Sequence, residues 1–267
     1  MEAITGMLTT SYLGRPIIYK PVTGSTNDDA RLLAGQEPAG TVVLAEVQTG
    51  GKGRLGRRWE SPAGGVFISV VLRPEIPAER APLLAIVAGY AVASAIRALT
   101  SLDTRVKWPN DVLVAGKKVC GILCEAAIEP GTPCAPNLRY VICGIGINAN
   151  QVGSDFPPSL RETASSIRIL MGGPIDRNLL IATVLNEMEV ALGRFNDEGL
   201  AGMRDDLAGL WAFLDRDVCL QNRSSKDSAK VTGRFRGVDD TGRALIEIPG
   251  EGVVPFSAGD LSLRPLL

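Results

Sequence analysis

The sequence predicts an α+β fold: a mixed β-sheet with helices over residues 1–214, then a small all-β domain over residues 215–267. Three observations predict it. Short β-branched runs recur between residues 41 and 147. An alanine-rich apolar stretch at 80–99 is too long for a strand and needs a sheet to cover. After Leu214 the pattern changes to short strand-like runs divided by Gly and Asp turns.

Residues 16–20 read as a first strand. Turn chemistry at 23–27 leads into a helix at 28–34, with Thr26 or Asn27 as its cap, acidic residues in the first turn and Gly35 near its end. Strands follow at 41–47 and 66–72, the second apolar on both faces. In the helix at 80–99, Leu83, Leu84, Val87, Ala91 and Ile96 face inward. Strands at 104–108, 111–114, 118–126 and 138–147 supply its sheet, with Ala115-Gly116-Lys117 as a hairpin turn. Residues 155–160 form a loop, Asp176 caps a helix at 177–195, and a second amphipathic helix covers 198–214. Strands at 218–221, 229–238, 243–248 and 253–257, with turns at 239–242 and 250–252, make a small barrel.

Composition narrows the chemistry. The 267 residues include no histidine, which removes Ser-His-Asp and Cys-His hydrolysis, the zinc-protease helix motif and histidine phosphotransfer. Lysine, arginine, carboxylates, backbone dipoles or a bound metal must do the work. A net charge of −1 gives no overall basic field, so nucleic-acid binding would rest on local patches. The five cysteines, 120, 124, 134, 143 and 219, contain no Cys-x-x-Cys pair, and Cys120, Cys124 and Cys143 read as small core residues. The start of the chain lacks a charged segment followed by an apolar run, and no stretch approaches eighteen consecutive apolar residues. A cytoplasmic protein is expected, and the Asn222-Arg223-Ser224 sequon is discounted on that ground.

The motif around which the chain is organised runs from Gly50 to Trp59, Gly-Gly-Lys-Gly-Arg-Leu-Gly-Arg-Arg-Trp. Its glycines favour irregular backbone and its cations need solvent or an anion, so it reads as a loop with an anionic guest, hung from the end of the 41–47 strand. A solvated or nucleic-acid-facing loop is the plainer reading of such a string by itself. The P-loop pattern fails, because Gly53 stands where Ser or Thr should hold a metal. Lys107 ends a strand where Pro109 stops the ladder; a solvated strand-end lysine and a functional one both fit. Gly144-Ile145-Gly146 lacks the third glycine and the following helix of a dinucleotide fingerprint.

Taken together, Ser25-Thr26-Asn27, the basic loop, Lys107-Trp108-Pro109-Asn110-Asp111, Gly121-Ile122-Leu123 and Gly144-Ile145-Gly146-Ile147-Asn148 resemble the catalytic region of biotin protein ligases, in order and over nearly the whole chain from Ser25. The resemblance implies a catalytic core similar to that of class II aminoacyl-tRNA synthetases and an SH3-like terminal barrel. It implies ATP with Mg2+, biotinyl-5′-adenylate as intermediate, and transfer of biotin to a lysine on the carrier domain of a biotin-dependent carboxylase. The biotin contacts it implies are Ser25, Thr26, Asn27, Gln48, Lys52, Gly53, Arg54 and Lys107. Those for ATP are Arg54, Arg57, Arg58, Trp59, Asn110, Lys118 and Asn148. Lys107 and Arg54 are the catalytic cations, and the loop folds over the adenylate.

Lys52 departs from the arginine usual in this loop, keeping the charge and losing the fork. Some members repress transcription through an N-terminal winged helix; only 24 residues precede Ser25, so DNA binding is not expected, and a homodimer is common in the family. Two rivals stand beside this reading. A lipoate or octanoyl ligase would use the same chemistry on another acid, and a nucleic-acid-binding protein would use the loop and barrel, although aromatics are only 5%.

Overall fold

The computed structural model describes residues 2–129, 138–222, 230–259 and 261–266. Cys134 and most of the 222–224 sequon lie outside these. In chain order the first half comprises α1 (Glu2–Thr5), β1 (Ile17–Thr23), α2 (Thr26–Leu33), β2 (Val42–Gln48), β3 (Val66–Leu72), α3 (Leu84–Leu99), β4 (Thr104–Lys107), β5 (Asp111–Val114), β6 (Lys117–Ile128) and β7 (Leu138–Ile147). There follow α4 (Ile167–Met171), α5 (Arg177–Glu198), α6 (Arg204–Ala208), β8 (Asp217–Asn222), β9 (Val231–Val238), β10 (Ala244–Ile248), β11 (Gly252–Phe256) and β12 (Leu261–Pro265).

β1 to β7 form one sheet in the order β1-β2-β3-β7-β6-β5-β4. Only β1 and β2 run parallel; the other neighbours are antiparallel, so the sheet is mixed as expected. β3 is buried along its whole length, because helices cover both faces. On one face Ala30 and Ala34, from α2 and its C-cap, pack on Val43, Val71 and Ile142. On the other, α3 and α5 pack against each other and the sheet, with Val87, Ala91, Ile96, Leu185 and Ala191 fully buried. Residues 78–99 have the length and apolarity of a membrane-crossing helix, but their apolar surface is taken up inside this layer. β8 to β12 form a second, antiparallel sheet in the order β11-β10-β9-β8-β12.

The structure corrects several boundaries. Pro82 lacks an amide proton, so residues 78–83 form a 3-10 turn and the α-helix begins at Leu84. Ser25, in extended conformation, is the N-cap of α2, and Thr26 and Asn27 are its first helical residues rather than its cap. The 198–214 segment is not one helix. Gly199 at φ 67° ends α5, a short turn and α6 follow, and the chain then runs beside β4, where Val106 N–H donates to Leu210 O and Ala212 N–H to Val106 O. Covering the open edge of β4 outweighs helical continuity there. α1, α4 and β12 were not anticipated, whereas Asp176 caps α5 as expected, accepting from the amides of Asn178 and Leu179.

The second sheet is tied to the first. Trp108, 1% exposed, donates its indole N–H to Gly242 O at 2.9 Å. Gly242 has φ 77° and lies so close to Leu83 that a side chain would not fit. Trp108→Phe keeps most of the packing and leaves that carbonyl without its donor, at a cost of about 1–3 kcal/mol. Urea unfolding should show a lower midpoint at unchanged slope.

Candidate active site

The basic loop is a small hairpin. Trp59 N–H donates to Gly51 O at 2.9 Å and Gly53 N–H to Arg57 O at 2.7 Å, and the tip turns through Leu55 and Gly56 at φ 59° and 68°. A side chain at Gly51 would meet Trp59 O and Ser61 Oγ, so the strands of the hairpin can close only on glycine. Its neck is bonded to the end of β1, Gly50 N–H donating to Gly24 O at 2.8 Å. The hairpin covers a cavity on the α2 side of the sheet.

One end of this cavity is polar and hydrogen-bonded. Ser25, Thr26 and Asn27 are buried there at the start of α2. Gln48 Oε1 accepts from Thr26 N–H (2.9 Å) and Oγ1 (3.0 Å), and Gln48 Nε2 donates to Ser61 Oγ at 2.9 Å. Ser69, on β3, donates to Asn27 Oδ1 at 2.6 Å, and Asn27 Nδ2 donates to Glu125 Oε2 at 2.7 Å. Donors and acceptors are thus fixed before any guest arrives. The floor is backbone: Gly144 lies against the Asn27 amide and Gly146 against the Trp59 indole, each without room for a Cβ. That is the physical use of the Gly-Ile-Gly string, which lies inside β7 and forms no dinucleotide turn.

The other end collects cations. Lys107 lines it from the end of β4, together with Arg54, Arg57, Arg58 and Lys118. Lys118 pairs with Asp111 at 2.6 Å and lies 5.1 Å from the centre of the Trp59 ring. Burial lowers the Lys107 pKa; Asp111 opposes the shift, and Lys118, Arg264 and Arg57 add to it by repulsion. Asn110 Oδ1 accepts from Arg54 Nη1 at 3.1 Å while Asn110 Nδ2 donates to Ile122 O at 2.8 Å. Arg54 also donates to the carbonyls of Ala258 and Gly259. Among the described residues no group of three or more Cys, Asp or Glu could hold a metal; Asp111 is the carboxylate that lines the cavity.

Of the residues expected from sequence, Ser25, Thr26, Asn27, Gln48, Lys52, Gly53, Arg54, Arg57, Arg58, Trp59, Lys107, Asn110 and Lys118 converge here. Asn148 does not line the cavity. It lies one residue past β7, buried, with Nδ2 donating to Ser165 O and its N–H to Val119 O. Sequence reasoning missed Ser69, Glu125, Asp111 as a site carboxylate, and Leu261 and Arg264 of β12. A lone serine inside the apolar Val66–Leu72 run was a legible signal for the first.

The profile of the Biotin/lipoate A/B protein ligase family matches residues 19–148, and that of the biotin protein ligase C-terminal domain matches residues 226–264. The bifunctional ligase/repressor BirA of Bacillus spizizenii is 36% identical over 96% of this chain and 76% of its own length. The chain belongs to the biotin protein ligase family. The biotin–[acetyl-CoA-carboxylase] ligase of Mycobacterium tuberculosis is 33% identical over 90% of this ligase and 85% of its own length. A biotin protein ligase from Aquifex aeolicus, solved in complex with biotin and ATP, superposes with a TM-score of 0.79 at 29% identity, covering 94% of this ligase and all of that chain.

A lysine whose pKa is lowered by folding weakens the fold while it carries its proton. The penalty is fully present below the folded value and fades as pH rises toward 10.5, where the unfolded chain loses the proton as well. Lys107→Met keeps the bulk and removes the charge. It should raise the melting temperature of this ligase at neutral pH, by an increment that shrinks as pH approaches 10.5.

Proposed function

We propose that this ligase joins biotin to ATP as biotinyl-5′-adenylate and passes the biotinyl group to a lysine on the carrier domain of a biotin-dependent carboxylase. The observation that carries the reading is the division of one cavity into a preset array of hydrogen-bonding groups and a cluster of cations. A urea ring is neutral and asks for several directed hydrogen bonds; Ser25, Thr26, Asn27 and Gln48 offer them. A carboxylate meeting a phosphate asks for positive charge and alignment. The Aquifex ligase with biotin and ATP, and the mycobacterial relative named for acetyl-CoA carboxylase, support the same substrates.

In the first step a carboxylate oxygen of biotin bonds to the α-phosphorus and pyrophosphate leaves. Lys107, Lys118, Arg54 and Arg57 screen the two anions from each other, Asn110 steadies Arg54, and the Trp59 ring offers a face to the adenine. Magnesium fits as a companion of the phosphates, with Asp111 to hold it, and would neutralise charge on the departing pyrophosphate. In the second step the amine of the carrier lysine bonds to the carbonyl carbon, AMP leaves and the amine loses a proton. Residues 1–214 would carry the chemistry and residues 215–267 help receive the carrier. Such an enzyme would work where ATP and the carboxylase are found together, here the cytoplasm.

ATP–pyrophosphate exchange tests the reading. Exchange should require biotin and not respond to lipoate; exchange that is absent or indifferent to biotin rejects it. Lys107→Met should lower exchange by about 10²-fold or more while the protein stays folded, and near-normal exchange would remove Lys107 from the chemistry.

Arg54 lies at the hairpin tip, so Arg54→Gly removes a cation and adds backbone freedom where the hairpin closes. Retention of the adenylate should suffer more than its synthesis. Escaped mixed anhydride acylates exposed lysines, so an added bystander protein should gain more biotin per adenylate made than with the parent. Equal labelling, with adenylate held as long as by the parent, would show that the hairpin is not a cover.

A further inference from the structure

The hairpin that covers the cavity is held at its tip by Arg54, which bonds to Asn110 and to the carbonyls of Ala258 and Gly259. Its cations repel one another, and Leu55 at its tip is 47% exposed. Away from the tip, the firmest side-chain contact is Lys52 Nζ with Asp28 Oδ1 at 2.7 Å. Asp28 sits in the first turn of α2, where the helix end favours a carboxylate. Its neighbour Asp29 turns the other way, accepting from Lys20 and Thr23. Asp28 faces the hairpin and shares one oxygen between Lys52 and Arg31, and the Lys52 bond is the leading cause that holds its carboxyl below the usual range.

The contact does not end there. Arg31 bridges Asp28 Oδ1 (2.9 Å) and Glu125 Oε1 (2.7 Å), and the second oxygen of Glu125 accepts from Asn27 Nδ2. A continuous run of charged contacts thus joins the neck of the hairpin to the polar end of the cavity.

We propose that Asp28 is the positioning residue of the hairpin, seating it over the cavity through Lys52, and that Arg31 and Glu125 link that seat to Asn27. Lys52 acts through Asp28 and leaves the anionic end of the guest to Arg54, Lys107 and Lys118. The compact ammonium suits this use, since one carboxylate oxygen shared between Lys52 and Arg31 leaves no place for a second fork. The seat itself is independent of what the cavity binds; its link to Asn27 rests on the biotin reading above.

Limited trypsin digestion of the full chain without substrate tests the seat, because Arg57 and Arg58 in the hairpin are cleavage points that a seated hairpin withholds. For a half-exposed ion pair, Asp28→Asn should speed cleavage there by about two- to fivefold. Lys52→Met should match it, Lys52→Arg should keep only part of the parent's protection, and the double variant Asp28→Asn with Lys52→Met should add nothing further. Asp103→Asn, which loses surface pairs with Arg97 and Arg105 away from the hairpin, is the control and should cleave as the parent does. Parent-like cleavage of Asp28→Asn, or additive effects in the double variant, overturns the seat. In a second arm, Asp28→Asn and Glu125→Gln should each raise KM for biotin in the exchange assay with a smaller change in kcat. Where the parent shows biotin-dependent exchange, an unchanged KM in either variant overturns the link. An inactive parent would count against the biotin reading and leave the trypsin result standing.

Discussion

Side chains from two separate segments rest directly on the main chain of β7, and this close approach organises the cavity. Asn27 comes from the start of α2 and Trp59 from the end of the hairpin; each occupies the volume that a Cβ on Gly144 or Gly146 would need. The sheet thereby offers a flat floor where an ordinary strand would present a row of side chains. Every other wall is placed relative to this floor. α2 must approach closely enough for Asn27 to reach Ser69 on β3 and Glu125 on β6, and the hairpin must fold back until its tryptophan lies across the strand.

The charge distribution carries the opposite logic, since it costs stability. Lys107 and Lys118 lie with Arg57 and Arg264 around one carboxylate, Asp111, in a half-buried place. In such surroundings like charges repel more strongly than in water, and no apolar packing is gained from them. The fold tolerates the arrangement because its core is assembled elsewhere, between the sheet, α3 and α5. A site in which, among the described residues, cations outnumber carboxylates is prepared for anions, because the reorganisation that a solvent would need has already occurred.

Much of this was legible in the sequence because it depended on local pattern. Alternation and β-branching located the central strands, and Pro109 marked the place where β4 gives up Lys107. The glycines and cations of residues 50–59 announced a loop with an anionic guest. What was not legible depended on tertiary competition. The 198–214 segment has a helical pattern, but the open edge of β4 recruits Leu210 and Ala212 as bonding partners. Asn148 follows the Gly-Ile-Gly-Ile string directly, yet β7 ends at Ile147 and the side chain turns away to Ser165. β12 is short and carries Pro265, so neither it nor Arg264 stood out until its pairing with β8 was visible.

That last strand shows why the second sheet belongs to the site. Leu261 of β12 lines the cavity, Arg264 adds its field at Lys107, and the carbonyls of Ala258 and Gly259 receive Arg54 from the hairpin tip. The Trp108 to Gly242 bond fixes the two sheets to each other at the residue next to Lys107. The hairpin is therefore held at its neck by α2 and at its tip by the terminal sheet. A displacement of that sheet would reach the cavity twice, once through Arg54 and once through the position of β4. Closure over the site and attachment of the terminal sheet are consequently one mechanical problem, and the residues that solve it are spread from Asp28 to Arg264.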